Sequence, residues 1–144
     1  MTIRSATPYL FFCGDASRAI SLYERALGAR VTGRMNYGQG PAGGPISPQD
    51  SDRIMHAALS IGGVQLMLSD SPISMDVPAD RRDASNVHVS LDFDDVADMH
   101  EKFDALARGG TVRIAIHDAF WGKFGMLTDE FGINWMFSFT NPTT

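Results

Sequence analysis

The sequence predicts an α+β fold built from two tandem modules, each consisting of a strand, a helix and three further strands. The first observation is an internal repeat, because residues 63–69 (GVQLMLS) match residues 132–138 (GINWMFS) in character at every position. The second is a unit of a strand followed by an amphipathic helix. This unit begins near residue 8 and again near residue 88, an offset of 88 − 8 = 80. Two copies of one supersecondary unit predict a pseudo-symmetric protein whose equivalent positions can be compared.

Length and composition are those of one compact domain with a proper core. The chain has 144 residues, of which 44% are hydrophobic and 20% charged. Its net charge of −5 disfavours nucleic acid, which requires a basic surface. The sequence contains no apolar run of about 18 residues, so no membrane span is expected. Residues 1–9 lack a secretory signal pattern. The lone Cys13 cannot form an internal disulfide, so we expect a soluble cytoplasmic protein.

Module one is predicted to span residues 1–70. Its elements are expected as a strand at 8–12, a helix at 16–27, a strand at 30–35, and strands at 54–61 and 64–69. Asp15 is placed to cap the helix and Gly28 to end it. Residues 36–52 are rich in Gly, Pro, Ser and Asp and predict a long loop, and Gly62-Gly63 predict a hairpin turn.

Module two is predicted to span residues 87–144, after a linker at 71–86 that carries two prolines and many charges. Its elements are expected as a strand at 87–93, a helix at 96–106, and strands at 111–116, 122–128 and 133–139. Asp95 is placed to cap this helix, and Gly109-Gly110 to end it.

Side chains alternate between the two faces of a strand, which separates an apolar face from a mixed one in both modules. The apolar faces must meet the helices, because their burial drives folding. The mixed faces would then line a concavity, and apolar walls with a few polar groups are typical of a small-molecule pocket. A solvated sheet face or a dimer interface would show the same pattern. The residues expected to line the pocket are Leu10, Phe12, His56, Met67, His88, Ser90, Asn134 and Met136, with Trp121 near its mouth.

Short motifs spread over nearly the whole chain carry a family resemblance. They are PYLFF at 8–12, AISLYERALG at 19–28, IMHA at 54–57, LMLSD at 66–70, and TDEFG at 128–132 followed by WM at 135–136. In this order they resemble the vicinal oxygen chelate superfamily, which includes glyoxalase I, extradiol dioxygenases and bleomycin-resistance proteins, and within it the PhnB-like branch. The resemblance implies paired βαβββ modules that each curl into an open half-barrel, forming a cleft.

The resemblance also implies where a metal would be held. Aligning the two modules puts the four ligand positions of the metal-using members at Pro8, Met67, His88 and Met136. Only His88 is a competent ligand, because proline has no donor side chain and thioethers favour soft ions. A relocated set of His56, His88 and Asp92 remains an alternative, although His88 and Asp92 would be roughly 13 Å apart on one strand. We expect no metal and no other cofactor.

These observations favour a small-molecule binding protein of the glyoxalase/bleomycin-resistance fold without a catalytic metal. One alternative is an enzyme that uses His88 or His56 as acid or base, since histidine titrates near neutrality. Another is a metal-dependent lyase or dioxygenase with rearranged ligands. For His56, a hydrogen bond across the sheet is the competing structural role. Exposed sheet edges and the resemblance both favour a homodimer.

Overall fold

The chain divides into two compact units, Met1–Val77 and Pro78–Thr144, in a computed structural model. The structure describes residues 3–39, 50–71 and 87–142. Each unit holds one α-helix and one four-stranded mixed sheet, so the predicted α+β fold of tandem modules is confirmed. The division falls within the predicted linker, most of which lies outside the described residues.

Module one has the predicted strand–helix–three-strand order. Its elements are β1 (Tyr9–Phe12), α1 (Ala16–Leu27), β2 (Arg30–Asn36), a short 3-10 helix (Tyr37–Gln39), β3 (Ile54–Ile61) and β4 (Val64–Asp70). The strands lie in the order β1-β4-β3-β2, and β1 pairs with β4 in parallel while the other neighbours are antiparallel. Gly28 ends α1 in the left-handed conformation, as predicted. Residues 40–49 of the expected loop lie outside the described residues.

Module two repeats this arrangement. Its elements are β5 (Val89–Phe93), α2 (Val96–Ala107), β6 (Thr111–Ala119), β7 (Gly122–Thr128) and β8 (Asn134–Thr140). The strands lie in the order β5-β8-β7-β6, again with the first strand parallel to the last. β6 is three residues longer than predicted, because its pairing with β7 continues to the hairpin at Ala119 and Gly122.

Each helix packs on the apolar face of its own sheet. α1 contacts β2, β3 and β4, and α2 contacts β5, β6 and β8. In module two the ring of Phe103 meets Phe137 edge-on, with centroids 5.1 Å apart. Trp135, on β8, is fully buried. No helix in the described part of the chain is long and apolar enough to cross a membrane.

The start of α1 is held by a distant carboxylate rather than by its own cap residue. Asp70, at the end of β4, accepts hydrogen bonds from the backbone N–H groups of Gly14 (2.8 Å), Ala16 (3.0 Å) and Ile54 (2.9 Å). Asp15 makes no capping hydrogen bond and pairs with Arg18 instead, so the prediction that its side chain caps α1 is wrong. One buried carboxylate therefore ties three segments of module one together.

Module two uses local carboxylates for the same tasks. Asp95 caps α2 as predicted, accepting from the N–H of Asp98 at 2.9 Å. The buried Asp129 holds the turn before β8, because it accepts from the N–H groups of Phe131 and Ile133 and from the Trp135 indole at 2.9 Å. The aspartates in the motifs LMLSD and TDEFG thus have structural roles.

Replacing Asp70 by Asn should destabilise the protein by about 2 kcal/mol, because an amide presents a donor to at least one of the three N–H groups. Asp95→Asn is the matched control and should be close to neutral, since Asn caps a helix as well as Asp. Urea unfolding of both variants measures the difference. Equal effects of the two substitutions would contradict the role assigned to Asp70.

Candidate functional site

The strand register corrects the alignment of the two modules by one residue. Met67 lies opposite Tyr9, and the equivalent Met136 lies opposite Ser90, so the first strands are offset by 90 − 9 = 81. The helices are offset by 96 − 16 = 80. Module one therefore has one extra residue between strand and helix, in the turn where Gly14 adopts a positive φ of 99°.

This shift exchanges the faces of the residues in β1. Leu10 lies opposite Leu68, which is completely buried on the helix side, and Phe12 is itself buried in the core. The prediction that Leu10 and Phe12 share a face with Met67 is therefore wrong. Tyr9 and Phe11 occupy that face instead. The strand YLFF is entirely apolar, so alternation of polarity could not indicate which residues point to which side.

The mixed face of module one carries an aromatic pair next to a histidine. Tyr9 and Phe11 stack with ring centroids 4.8 Å apart, and they are 37% and 68% exposed. The Tyr9 hydroxyl and His56 Nδ1 share a hydrogen bond of 3.1 Å that spans the intervening strand β4. Met67 lies opposite Tyr9, and Met35 of β2 lies opposite His56. The face thus combines a stacking surface, two thioethers and one imidazole that is oriented by its hydrogen bond to Tyr9.

The mixed face of module two is more polar. Ser90 and Met136 lie opposite each other, and His88 precedes them on the same face. His88 is half-buried, and its Nδ1 atom is buried without a hydrogen-bond partner among the described residues. Asn134 is buried and engaged, since its Oδ1 accepts from Thr128 Oγ1 at 2.7 Å and its Nδ2 donates to the Val87 carbonyl at 3.3 Å.

Trp121 lies in the hairpin turn between β6 and β7 and is half-buried. Its ring meets Phe124 edge-on at 6.1 Å, and His117 meets the same Phe124 ring at 6.2 Å. Phe124 lies opposite Ser138, two residues beyond Met136, so it belongs to the mixed face. Trp121 therefore lies at the hairpin end of this face.

Two side chains outside the predicted site have shifted pKa values. Burial raises the pKa of Tyr37, and the charges of Asp50 and Asp70 add to the effect. Tyr37 therefore stays protonated and donates to the Asp70 backbone carbonyl at 2.9 Å. The hydrogen bond from Lys123 lowers the pKa of the exposed Asp118 carboxyl. Neither shift bears on the mixed faces directly.

The donor set does not fit the divalent metal that the resemblance implies. With the corrected offset, the module-one equivalent of His88 is Thr7 (88 − 81 = 7) rather than Pro8. A neutral hydroxyl, two thioethers and one imidazole leave a single competent ligand. Within residues 3–39, 50–71 and 87–142, no three His, Cys, Asp or Glu side chains come together to hold an ion.

Paired βαβββ modules, each with a helix-covered face and a mixed face, define a protein of the glyoxalase fold. The family model described as the glyoxalase/bleomycin resistance protein/dioxygenase superfamily matches residues 6–137. The chain belongs to this superfamily, which confirms the resemblance inferred from the motifs.

Several similar proteins share most of the chain. Escherichia coli YjdN is 32% identical over 139 residues, which cover 90% of this chain and 91% of the relative. The crystal structure of protein PA1353 from Pseudomonas aeruginosa has a TM-score of 0.83 at 32% identity and covers 97% of this chain and 100% of that one. A PhnB protein from Bacillus cereus shares the fold with a TM-score of 0.75 at 19% identity, covering 95% of this chain and all of that one.

Chelation should leave the melting temperature unchanged, because the ligand positions lack the donors for a tightly bound divalent ion. A bound metal would stabilise the fold by mass action, so its removal by EDTA would lower the melting temperature. Differential scanning calorimetry with and without EDTA, together with elemental analysis, measures this. About one equivalent of Zn, Mn, Ni or Fe in the purified protein would contradict it.

Proposed function

We propose that the protein binds a small, partly aromatic organic molecule on the mixed face of the module-one sheet, without a metal ion. The observation that carries the proposal is the exposed stack of Tyr9 and Phe11 beside the hydrogen-bonded His56. Most of the Phe11 ring is open, although the opposite face of the same sheet is packed against α1.

The chemistry of this face suits such a ligand. Single exposed apolar side chains are ordinary, but here two stacked rings, two methionines and one imidazole share one face. Apolar walls with few polar groups are typical of small-molecule sites. An aromatic ring placed on Phe11 would gain stacking energy of about 0.5–1.5 kcal/mol in addition to its buried area. Flexible methionines adapt to ligands of varied shape.

His88 supplies a polar contact on the mixed face of module two. A buried polar atom without a partner costs on the order of 1–3 kcal/mol. Its Nδ1 has no partner among the described residues, so a hydrogen-bonding group on a ligand would recover that cost. Ser90, Met136 and the hairpin residue Trp121 would complete the contacts on this face.

A metal-free enzyme is the second candidate, and the Tyr9–His56 hydrogen bond favours it. The hydrogen bond with Tyr9 fixes the orientation of the His56 ring, and a general acid or base needs such a fixed orientation. The opposite nitrogen, Nε2, would then face the substrate. Binding and catalysis are distinguished by recovering the bound compound after incubation: a binding protein returns it unchanged.

A panel of neutral phenols and aryl amides, screened by thermal shift, should contain compounds that bind in the micromolar to millimolar range. Phe11→Ala should weaken the best of them about tenfold, as measured by calorimetry, because a stacking surface is lost. Stability should change by less than about 1 kcal/mol, since Phe11 is mostly exposed.

Val64→Ala is the matched control, because Val64 is also exposed but lies on the opposite face of the same sheet. It should leave the affinity unchanged. His88→Ala tests the mixed face of module two by itself: it should weaken a compound that binds on that face more than it lowers the stability of the fold. A panel without any binder, or equal effects of Phe11→Ala and Val64→Ala, would refute the proposed function.

We also propose a symmetric homodimer. Apolar side chains on the outer strands of both sheets are exposed, including Val31 on β2 and Val112 and Ile114 on β6. Edge strands of this kind are normally covered or paired. Light scattering at micromolar concentration should give twice the monomer mass, and a monomeric mass would count against the proposal.

A further inference from the structure

A break in the register of β6 turns one arginine toward the mixed face of module two. Val112 lies opposite Leu127 on the core side, and Ile114 lies opposite Met126 on the mixed side, which leaves Arg113 without an opposing residue. Such a bulge redirects side chains. The Arg113 side chain accordingly reaches Thr128, whose hydroxyl belongs to the mixed face, and its Nε donates to Thr128 Oγ1 at 3.0 Å.

A directional chain of hydrogen bonds holds this guanidinium in place. Arg113 donates to Thr128, Thr128 donates to Asn134 at 2.7 Å, and Asn134 donates to the Val87 carbonyl at 3.3 Å. Thr128 and Asn134 are 4% and 7% exposed, so neither can easily turn away. These hydrogen bonds run from β6 through β7 and β8 to Val87, which lies two residues before β5.

Module one has the same backbone feature without the cation. Its register breaks between Val31 and Gly33, and Thr32 in the equivalent place donates its hydroxyl to the Ala58 carbonyl at 3.2 Å. Both modules thus have the bulge, but module one has Thr32 where module two has Arg113 with its hydrogen bonds to Thr128 and onward to Asn134. A purely structural role for the bulge would not require a charged side chain there.

The guanidinium retains unused donors besides the one bound to Thr128. Arginine has five N–H donors in a planar fork, and Arg113 uses one, on Nε. The four donors on the two Nη atoms have no partner among the described residues, and the side chain is exposed. A fixed planar fork matches two oxygens of an anion better than a mobile lysine does.

We propose that Arg113 binds the carboxylate of a small organic acid through its two Nη groups, with Thr128 and Asn134 as positioning residues. The proposed site offers one positive charge, and the protein as a whole has a net charge of −5. A singly charged carboxylate therefore matches the site better than a doubly charged phosphate. The site lies wholly within module two and does not depend on the aromatic face of module one.

Titration with sodium benzoate at constant ionic strength tests this assignment. The Arg113 Nε–H resonance should shift on binding, and benzoate should bind at least about tenfold more tightly than benzamide, its neutral analogue. Arg113→Gln should abolish this preference. Arg108→Gln removes the same charge from an exposed position in the same module and should preserve it.

The support is tested separately with Thr128→Val, which removes the hydroxyl but keeps the shape. It should weaken benzoate binding several-fold and broaden the Arg113 Nε–H resonance, while Thr128→Ser restores both. Circular dichroism confirms that each variant is folded. The proposal is overturned if benzoate does not bind, if Arg108→Gln and Arg113→Gln have equal effects, or if inorganic phosphate binds Arg113 more tightly than benzoate.

Discussion

Each module depends on the parallel pairing of its first strand with its last. β1 joins β4 and β5 joins β8, so the ends of each module lie side by side while the helix covers one face of the sheet. The pairing register decides which residues face the helix and which face away. One position of slippage would exchange the core residue Phe12 with the exposed Phe11. The core and the candidate site are thus set by the same hydrogen bonds.

Wherever one local pattern dominates, the sequence is sufficient to predict the structure. The amphipathic period of residues 16–27 and the diglycine between β3 and β4 gave correct elements, because burial and turn geometry act within a few residues. The repeat also predicted that both modules share one order of elements. The repeat did not reveal the single extra residue before α1, which shifts the strands relative to the helices. An apolar strand such as YLFF contains no polar residue that would show this shift.

Interactions between distant residues account for the other differences. Asp15 has the sequence position of a helix cap, but Asp70 provides the cap from 54 residues away, and local patterns cannot indicate a partner at that distance. The bulge at Arg113 similarly depends on the pairing of β6 with β7. The alternation on β8, by contrast, correctly placed Met136 and Asn134 on the face opposite Trp135. Long apolar–polar patterns reveal a face, whereas short or irregular strands do not.

The capping carboxylates also imply that the two modules acquire their helices differently. The Asp95 cap lies within the first turn of α2, so that helix can begin to form before the rest of module two is in place. The N-terminus of α1 is capped only when β4 is in place, because its cap is Asp70 at the end of that strand. Closing so long a loop has an entropic cost that only the finished sheet offsets. We therefore expect α1 and β4 of module one to form together during folding, and α2 of module two to form before its sheet is complete.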